Sequence, residues 1–509
     1  MMRNVRDYVC TTAAIIAVTG CATPGPKQAL EPITADLDSW AAVSEDRRAA
    51  PVTSNWLGDL QDPQVTDIVE IALEQNYDLN ATRERFEASL DRARVTRADM
   101  LPQINGSGSG TRSRNAPGGF QFGDASIGAG DVTYNSNYTL AVQLTWEIDV
   151  WGRLADQTRA AYLDADARNL DYAAAQLSVA GNAAQSHYGL AAARLQRQLA
   201  ERNVETNNAN LRVINRRYER GISTSLDLRL ARASLASSEA TLEQRRQQEL
   251  EAARQLEVLL GQYPAASIEP ADALPSLTPI LSDGRTMELG TPEELLDRRP
   301  DVIAAERRLK AAGLRVSAAR KAFLPSISLS TSANESALSS PDDNADFSDL
   351  LDFDNVAADL VGNLTQPLFQ GGRLRANEQA AKDDAEAALY DYGTTVLTAW
   401  REVEDAIAAE QFLSEQEKAL ERSFEERVAV ENITQRRYLS GTVDIFDFIN
   451  SQQRRIEAEG QLIDAQQARL NNRVSLYLAL GAPYLLKGDA ALATAEAPMA
   501  ERASAGDLL

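Results

Sequence analysis

The sequence predicts an α+β protein in which one unit of strands and long helices occurs twice. Two stretches of 67 residues, 154–220 and 374–440, contain no proline and carry apolar residues at helical spacing. Each stretch follows segments in which polar and apolar residues alternate with period two, as in strands. The second half of the chain also repeats the first at a nearly constant offset. These observations predict two copies of a strand pair followed by a helical hairpin.

The composition excludes several classes of protein. The chain has 509 residues and a formal net charge of −23, so it would repel the phosphates of nucleic acid. Hydrophobic residues make up 44% and the mean hydropathy is −0.33, which excludes a polytopic helical membrane protein and a mostly disordered chain. With 2 Cys and 1 His, zinc, haem and iron–sulfur sites are nearly excluded. We therefore expect no metal, no cofactor and no enzymatic activity.

The first 20 residues are typical of a secretory signal peptide. Basic residues precede the apolar run 11–18, which is shorter than the roughly 20 apolar residues of a transmembrane helix. The run ends in VTGC at 18–21, which resembles a bacterial lipoprotein signal, so we expect diacylglycerol on Cys21. Alanine follows the cysteine, which in such lipoproteins favours the outer membrane. The alternative is an ordinary signal followed by a chance cysteine.

Internal repetition divides the chain. RRYERG at 216–221 recurs as RRYLSG at 436–441, an offset of 220 residues. Upstream, LPQI at 101–104 pairs with LPSI at 324–327, an offset of 223. One duplication with a three-residue insertion or deletion explains both offsets. The predicted units are a signal peptide (1–20), a lipidated extension (21–63), a first repeat (64–261), a Pro-rich linker (262–291), a second repeat (292–481) and a tail (482–509).

Each repeat begins with a shorter helical run, 64–100 in the first copy and 292–323 in the second. Apolar residues recur there at helical spacing, as at Val65, Ile68 and Val69. A Leu-Pro pair ends each run, because the residue before a proline avoids the α region.

The predicted strands have two chemically different faces. Between Tyr134 and Ile148 the even-numbered residues are mostly apolar and the odd-numbered ones polar, so one face meets an apolar medium and the other meets water. Weaker alternation over 103–115, 326–331 and 360–365 predicts three more strands. A length of about ten residues suffices to cross a bilayer when the strand is tilted; a soluble sheet packed on a core is the alternative. We predict a lipid-facing row at Tyr138, Leu140, Val142, Leu144 and Trp146.

The long helical stretches do not fit the core of a compact domain. Each would reach about 100 Å if continuous, whereas globular helices average roughly a dozen residues. They end in turns at Gly221 and Gly441, and return helices follow to Gly261 and Gly481. Glycines inside the runs predict kinks or breaks; they are Gly181, Gly189, Gly393 and Gly460.

Four amphipathic strands cannot close a membrane barrel, because the smallest have about eight. Open strand edges in lipid leave backbone groups without hydrogen bonds, so other chains must pair with them. Two, three or four chains would give roughly eight, twelve or sixteen strands. The residues alone do not choose between these numbers.

Further motifs carry a family resemblance. They are NWLGDLQDP at 55–63, LLDRRPDV at 295–302, AAERRL at 304–309 and PLFQGGRL at 367–374. With the two RRYxxG turns, they make the chain resemble the TolC-like outer-membrane efflux factors, in the lipoprotein subgroup that serves pumps of the resistance–nodulation–division type.

This resemblance implies the assembly and the function. Three chains would form a twelve-stranded β-barrel in the outer membrane of a Gram-negative bacterium and a twelve-helix α-barrel through the periplasm. The homotrimer would be the passive channel of a tripartite efflux system for drugs or other small toxic molecules. Its partners would be a periplasmic adaptor, an inner-membrane pump and outer-membrane lipid.

The resemblance also assigns roles to the two glycine turns. In the family they form the closed end of the tunnel and dock the adaptor, and tyrosine–arginine contacts there hold the end shut. Carried over by position, the adaptor-docking residues are Arg217, Tyr218, Gly221, Arg437, Tyr438 and Gly441.

The periplasmic gate follows from the same comparison. The family usually has carboxylates six or nine residues after the second turn glycine, and here these positions hold Asp447 and Asn450. Phe446 could add an apolar constriction, and Asp227 is the counterpart of Asp447 in the first copy. The predicted gate is therefore Asp447, Phe446, Asn450 and Asp227. The alternative for both aspartates is a position in the first turn of a helix, favoured by the helix dipole.

Three other functions remain open from the sequence. An outer-membrane duct of a different exporter, for peptide or protein secretion or for metal efflux, would share the architecture. A periplasmic adaptor would have one hairpin between half-domains rich in strands. A secreted hydrolase would need a catalytic centre, but His187, the only histidine, lies in an Ala-rich helical run and is expected to be a packed or surface residue.

Overall fold

The structure is a computed structural model of the 509-residue chain. It describes residues 40–41, 56–60, 62–115, 120–122, 125–127, 133–277, 281–282, 285–286, 291–338 and 356–481. The predicted signal peptide, the predicted lipidation site Cys21 and the tail after residue 481 lie outside the described residues.

Helix α1 (Trp56–Asp59) precedes the first copy, which begins with α2 (Pro63–Gln75) and α3 (Tyr77–Ala98). The strands that follow are β1 (Gln103–Asn115), the small hairpin of β2 (Phe120–Phe122) and β3 (Ala125–Ile127), and β4 (Thr133–Ile148). The long hairpin consists of α4 (Arg153–Glu219) and α5 (Ser225–Leu259).

The second copy follows a short hairpin of β5 (Leu281–Ser282) and β6 (Arg285–Thr286). Its elements are α6 (Pro292–Leu296), α7 (Pro300–Lys321), β7 (Ser326–Leu338), β8 (Ala357–Thr365), α8 (Arg373–Leu439) and α9 (Ile445–Ala479). Helices α4 and α8 both have 67 residues, and α5 and α9 both have 35. The offsets of the sequence repeat also relate these helix ends, so the predicted duplication is confirmed.

The first helical run of each copy is split in two, so the predicted single runs over 64–100 and 292–323 are wrong. Asn76 separates α2 from α3, because its backbone is extended and its side chain accepts a hydrogen bond of 2.9 Å from the Leu79 N–H. It also donates to the carbonyl of Leu259 at the end of α5. In the second copy the break precedes Pro300, since a residue before proline avoids the helical conformation.

Both long helices are continuous, so the breaks predicted at their glycines do not occur. Gly181 lies instead where α4 meets α9, and a Cβ there would overlap the side chain of Leu478. This glycine permits a close approach of two helices and does not end one. Within the described residues, no helix combines the length and the apolarity needed to cross a bilayer.

Four strands form one antiparallel sheet in the order β1-β4-β7-β8. Strand β4, with 16 residues, pairs with β1 on one side and with β7 on the other. Strand β1 has the predicted range of 103–115, whereas β7 continues beyond the predicted 326–331 to Leu338. In the described part of the chain, β1 and β8 each have a neighbouring strand on one side only. The chain therefore presents an open sheet with two free edges.

The main hydrophobic cores lie near the middle of the long helices. Trp56 is fully buried and stacks on Tyr477 of α9, with 5.6 Å between the ring centroids. Around them pack α1, α2, α4, α5 and α9. A second cluster around Trp400 joins α7, α8 and α9. Contacts between neighbouring helices give the order α3, α4, α7, α8, in which each helix packs on the next.

Candidate functional site

The two hairpin turns have the same backbone geometry. The first tip is the turn between α4 and α5, and the second tip is the turn between α8 and α9. Gly221 and Gly441 adopt positive φ values of 73° and 78°, which glycine tolerates without strain. The N–H of Ile222 donates to the Arg217 carbonyl at 2.8 Å, and the N–H of Thr442 donates to the Arg437 carbonyl at 2.9 Å. The sequence places both glycines correctly in turns.

A contact between the copies holds the tips together. The guanidinium of Arg217 lies over the ring of Tyr438, 5.2 Å from its centroid. Tyr438 is buried and stacks on Phe448 at 5.5 Å, with the ring planes 9° apart. The other buried members of this tip cluster are Ile214, Leu228, Ala231 and Ile445. Burial raises the pKa of the Tyr438 phenol, so it stays protonated and neutral, while the Arg217 charge opposes that rise.

Arg437 and Tyr218, the repeat counterparts of Arg217 and Tyr438, do not form the same contact within one chain. Tyr218 is 43% exposed, whereas its counterpart Tyr438 is 8% exposed. Arg437 is exposed, whereas its counterpart Arg217 is half-buried. Of the predicted tip residues, the structure therefore joins one arginine and one tyrosine and leaves the other two on the surface.

The two aspartates of the predicted gate occupy different environments. Asp227 belongs to a capping box, in which its carboxylate accepts a 2.7 Å hydrogen bond from the Thr224 N–H and its own N–H donates to the Thr224 hydroxyl. At the second tip the cap is Asp444, which accepts from the N–H of Asp447 at 2.9 Å. Within the described residues, no hydrogen bond or ion pair engages the exposed Asp447 carboxylate.

The remaining gate residues flank Asp447 on the outer side of α9. Phe446 is 60% exposed, and Asn450 lies one turn further along the helix and accepts a hydrogen bond from Arg454. Ile445 and Phe448 point the opposite way, into the tip cluster. The second tip thus presents a carboxylate and a phenyl ring side by side to solvent.

The sheet separates apolar and polar side chains. The predicted row Tyr138, Leu140, Val142, Leu144 and Trp146 lies on one face of β4, because alternate residues of a strand share a face. Register extends that face to neighbouring strands, since Leu144 pairs with Ile104 and Trp146 with Leu329. Many of these apolar residues are exposed; they include Ile104 at 68%, Val142 at 50%, Leu360 at 70% and Leu364 at 71%.

The opposite face is polar and mostly uncharged. Thr145 of β4 pairs with Ser330 of β7, and Gln143 pairs with Ser332. Serine or asparagine occupies every second position of β7 on this face from Ser326 to Ser336, and Asp359 of β8 accepts a hydrogen bond from Ser332. The apolar face also carries charged side chains: Glu335 is buried opposite Leu140, and Arg112 and Arg114 of β1 lie opposite Ser136 and Tyr134. The sheet therefore has the two faces that a wall between lipid and water requires.

The segment from the end of α1 to the start of α2 is anchored by two contacts that the sequence does not predict. His187 is buried, as one of its two predicted alternatives stated, and its Nε2 lies 3.0 Å from a carboxylate oxygen of Asp62. Burial alone would raise the pKa of Asp62, but the hydrogen bond and charge of His187 hold it below its usual value. Tyr477 donates to Asp59 at 2.9 Å. Only the rarity of histidine marked this site, since its partner lies far away in sequence.

Helices α8 and α9 share a buried ionic cluster that no motif predicted. Glu410 accepts hydrogen bonds from Arg469 at 3.1 Å and from Arg473 at 2.7 Å, and all three side chains are buried. Arg469 also pairs with Glu417 at 2.7 Å. Removing one member would leave a buried charge without its partner, which would destabilise the packing of α8 on α9.

Comparison with known proteins identifies the family. The family model of outer membrane efflux proteins matches residues 68–262 and 291–482, which include both copies. The chain belongs to the outer membrane efflux protein family. It is similar to the outer membrane protein OprJ of Pseudomonas aeruginosa, with 31% identity over 92% of this chain and 95% of that protein. The antibiotic efflux pump outer membrane protein ArpC of Pseudomonas putida is 28% identical over 93% of this chain and 94% of its own length.

A third relative adds a solved structure. The cation efflux system protein CusC of Escherichia coli is 27% identical over 84% of this chain and 88% of that protein. A crystal structure of CusC superimposes with a TM-score of 0.71, covering 87% of this chain and 99% of that chain at 26% identity. The predicted fold class is thus confirmed. The chain is an outer-membrane efflux channel of a Gram-negative bacterium, as the sequence predicted.

Proposed function

We propose that three copies of this chain form the outer-membrane duct of a tripartite efflux system. The observation that carries the proposal is the open four-stranded sheet, apolar on one face and polar on the other, above two long hairpins. A free edge in lipid would leave backbone groups without hydrogen bonds, so β8 of one copy must pair with β1 of another. Three copies give about twelve strands, enough for a water-filled lumen.

The long hairpins give the duct its reach. Helices of 67 residues span about 100 Å, at roughly 1.5 Å per residue. Attached below a membrane-embedded sheet, they would extend through the periplasm toward an inner-membrane pump. The two tips would then form the far end, where a periplasmic adaptor docks on the exposed residues Tyr218 and Arg437.

The cargo consists of drugs and other small toxic molecules that the pump selects. The polar face of the sheet carries mainly serine, threonine, asparagine and glutamine, which offer hydrogen bonds without selecting strongly by charge. The name of the relative ArpC refers to antibiotics, and the two chains align along nearly their whole lengths. The duct performs no chemistry and needs no cofactor, since transport through it is passive.

At rest the tips close the duct. The Arg217–Tyr438 contact joins the two tips of one chain, and a ring of three chains would bring six tips around one axis. Asp447 and Phe446 would project into the narrowest point, where a ring of carboxylates attracts cations and repels anions. Asp227 contributes to helix capping at the same level.

The lipid anchor is the remaining part of the proposal. Acyl chains on Cys21 would hold the extension before α1 at the inner surface of the outer membrane. Each buried methylene contributes about 0.8 kcal/mol to membrane binding. The barrel itself also inserts in lipid, so the anchor serves mainly to sort and orient the chain.

Deleting the gene and measuring drug susceptibility tests this function. The deletion strain should become more sensitive to several unrelated toxic compounds, and the wild-type gene should restore resistance. The variant Cys21→Ser should restore it less well, because the protein loses its anchor. Unchanged sensitivity to all organic compounds would contradict the proposal.

Metal efflux is the second candidate, and the similarity to CusC favours it. The same strains should therefore be exposed to toxic metal cations. Sensitivity to metal salts alone, with no change for organic compounds, would assign the duct to a cation exporter.

A further inference from the structure

One contact inside the chain joins the two copies below the sheet. Helix α4 packs on α7, and Ala160 and Ala311 are fully buried where they meet. Two ion pairs flank these alanines, Arg308 with Asp171 and Arg315 with Asp164. Strand β4 leads into α4 and α7 leads into β7, so this helix contact continues the β4–β7 strand pair.

The duplication supplies a second set of the same residues. Helix α8 repeats α4 at an offset of 220, and α7 repeats α3 at an offset of 223. All six contact residues keep their identity in the other copy. Asp164, Asp171 and Ala160 of α4 correspond to Asp384, Asp391 and Ala380 of α8, and Arg308, Arg315 and Ala311 of α7 correspond to Arg85, Arg92 and Ala88 of α3.

The second set does not meet within one chain. Helices α3 and α8 stand at opposite ends of the order α3, α4, α7, α8. All four charged counterparts are exposed, and the described residues provide no ion pair for any of them. Ala380 is exposed although Ala160 is buried. The free sheet edges β1 and β8 lie on the same two sides of the chain.

We propose that α8 of one chain packs on α3 of the neighbouring chain in the same way that α4 packs on α7 inside each chain. Two ion pairs would then join neighbouring chains. They are Arg85 of one chain with Asp391 of the other, and Arg92 with Asp384. This inference rests on the proposed trimer and specifies the surfaces that build it. The two surfaces differ, so each copy binds the next head to tail and a ring closes.

Two ion pairs of the internal contact between α4 and α7 are not repeated. Arg307 pairs with Asp166 at 2.8 Å inside the chain, but their counterparts are Glu84 and Glu386. Arg83 already pairs with Glu84 and supplies a positive charge beside it. Lys321 also pairs with Asp156 inside the chain, and their counterparts are Ala98 and Ala376. The interface between neighbouring chains therefore has two matched ion pairs where the internal contact has four.

Charge reversal tests the proposal in the full-length protein extracted from membranes. Arg92→Glu or Asp384→Arg alone should lower the trimer fraction roughly tenfold, because like charges would face each other. The double variant should return to the wild-type trimer fraction, since the pair is restored with opposite polarity. Native mass spectrometry measures the fraction. Arg94→Glu is the matched control, because Arg94 pairs with Asp91 on its own helix, and it should assemble normally.

The outcomes are decisive for the contact. A double variant that assembles no better than the single variants would overturn it, as would single variants that assemble like the wild type. If the wild-type protein has the mass of one chain, the proposed function fails together with this inference.

A disulfide provides an independent measurement. The double variant Ala88→Cys with Ala380→Cys should give species of two and three subunits on non-reducing gels after oxidation, and each single variant should not. Formation of only single-chain species from a protein that is trimeric by native mass would refute this contact while leaving the trimer intact.

Discussion

The two copies of the repeat have helices of equal length, yet equivalent positions within them do different things. At the tips, Tyr218 is exposed and Tyr438 is buried. At mid-length, His187 of α4 pairs with Asp62, whereas the equivalent residue of α8, Ile407, packs in an apolar cluster. Duplication therefore conserved the lengths and turns, while the side chains specialised for different neighbours.

The tips show why such specialisation is useful in a closed ring. If both copies carried the same residues in the same environments, six identical tips would surround the axis. Instead, one tip supplies Arg217 to the ring of Tyr438, and the other supplies the exposed pair Phe446 and Asp447. The first copy thus contributes the arginine of the contact between the tips. The second copy contributes the tyrosine of that contact and also the residues proposed to constrict the channel.

The largest difference is expected between the two tip tyrosines. Tyr438→Ala should lower the free energy of unfolding by about 3–5 kcal/mol, because it empties a buried stack with Phe448. Tyr218→Ala should change it by less than about 1 kcal/mol, since that ring is largely exposed. Hydrogen exchange at the tips and thermal unfolding of the purified protein measure both effects. Equal losses for the two variants would show that the copies are equivalent at this position.

The second comparison concerns the middle of the helices. His187→Leu should cost about 1–3 kcal/mol at neutral pH, because Asp62 would be left without its partner. Ile407→Val, the control at the equivalent position, should cost about 0.5–1.5 kcal/mol at every pH.

The pH dependence distinguishes these two variants. The pKa of Asp62 lies below its usual value near 3.8, so its ionised form stabilises the fold above that pH and the stabilisation disappears as the pH falls through the lower, folded-state pKa. The difference between wild type and His187→Leu should therefore shrink between pH 5 and the acid limit. A difference that stays constant over this range would exclude the ionic contribution.

The smallest stability effect is expected at the two first-turn aspartates. Asp227→Ala should cost about 1 kcal/mol, because it removes one half of the capping box. Asp447→Ala should change stability by no more than about 0.5 kcal/mol, but it should raise the conductance and lower the cation preference of the channel in planar bilayers. Unchanged conductance and selectivity in Asp447→Ala would remove Asp447 from the gate.

Much of the fold follows from the sequence because its signals are local or repeated. The RRYxxG motifs place both tips, since only glycine adopts the required positive φ without strain. The alternation along β4 places all five residues predicted to face lipid on one side of the strand. Of the kinks or breaks predicted at four internal glycines, the breaks do not occur, since the helices are continuous. Gly181 instead serves the packing of Leu478, a neighbour nearly 300 positions away.

The candidate site was only partly predictable, because its contacts also depend on residues that no local sequence pattern brings together. Asp227 and Asp447 occupy equivalent positions in the repeat, but the residue that caps each helix differs. The N–H of Thr224 donates to the carboxylate of Asp227, whereas Asp444 bonds only the N–H of Asp447 and leaves its carboxylate exposed. Likewise, the two arginine–tyrosine motifs are identical in sequence over three residues. Which arginine reaches which tyrosine depends on how the hairpins lie beside each other.

The amino-acid order by itself determined the duplication, the helix lengths, the two-faced strands and the family. These properties depend on periodicity and on backbone rules that act over a few residues. Only the tertiary structure decided the strand order, the Arg217–Tyr438 contact, the Asp62–His187 pair and the set of charges left exposed on α3 and α8. Each of these joins residues that are remote in the chain, and their meeting depends on packing of whole helices and strands, which no local pattern specifies.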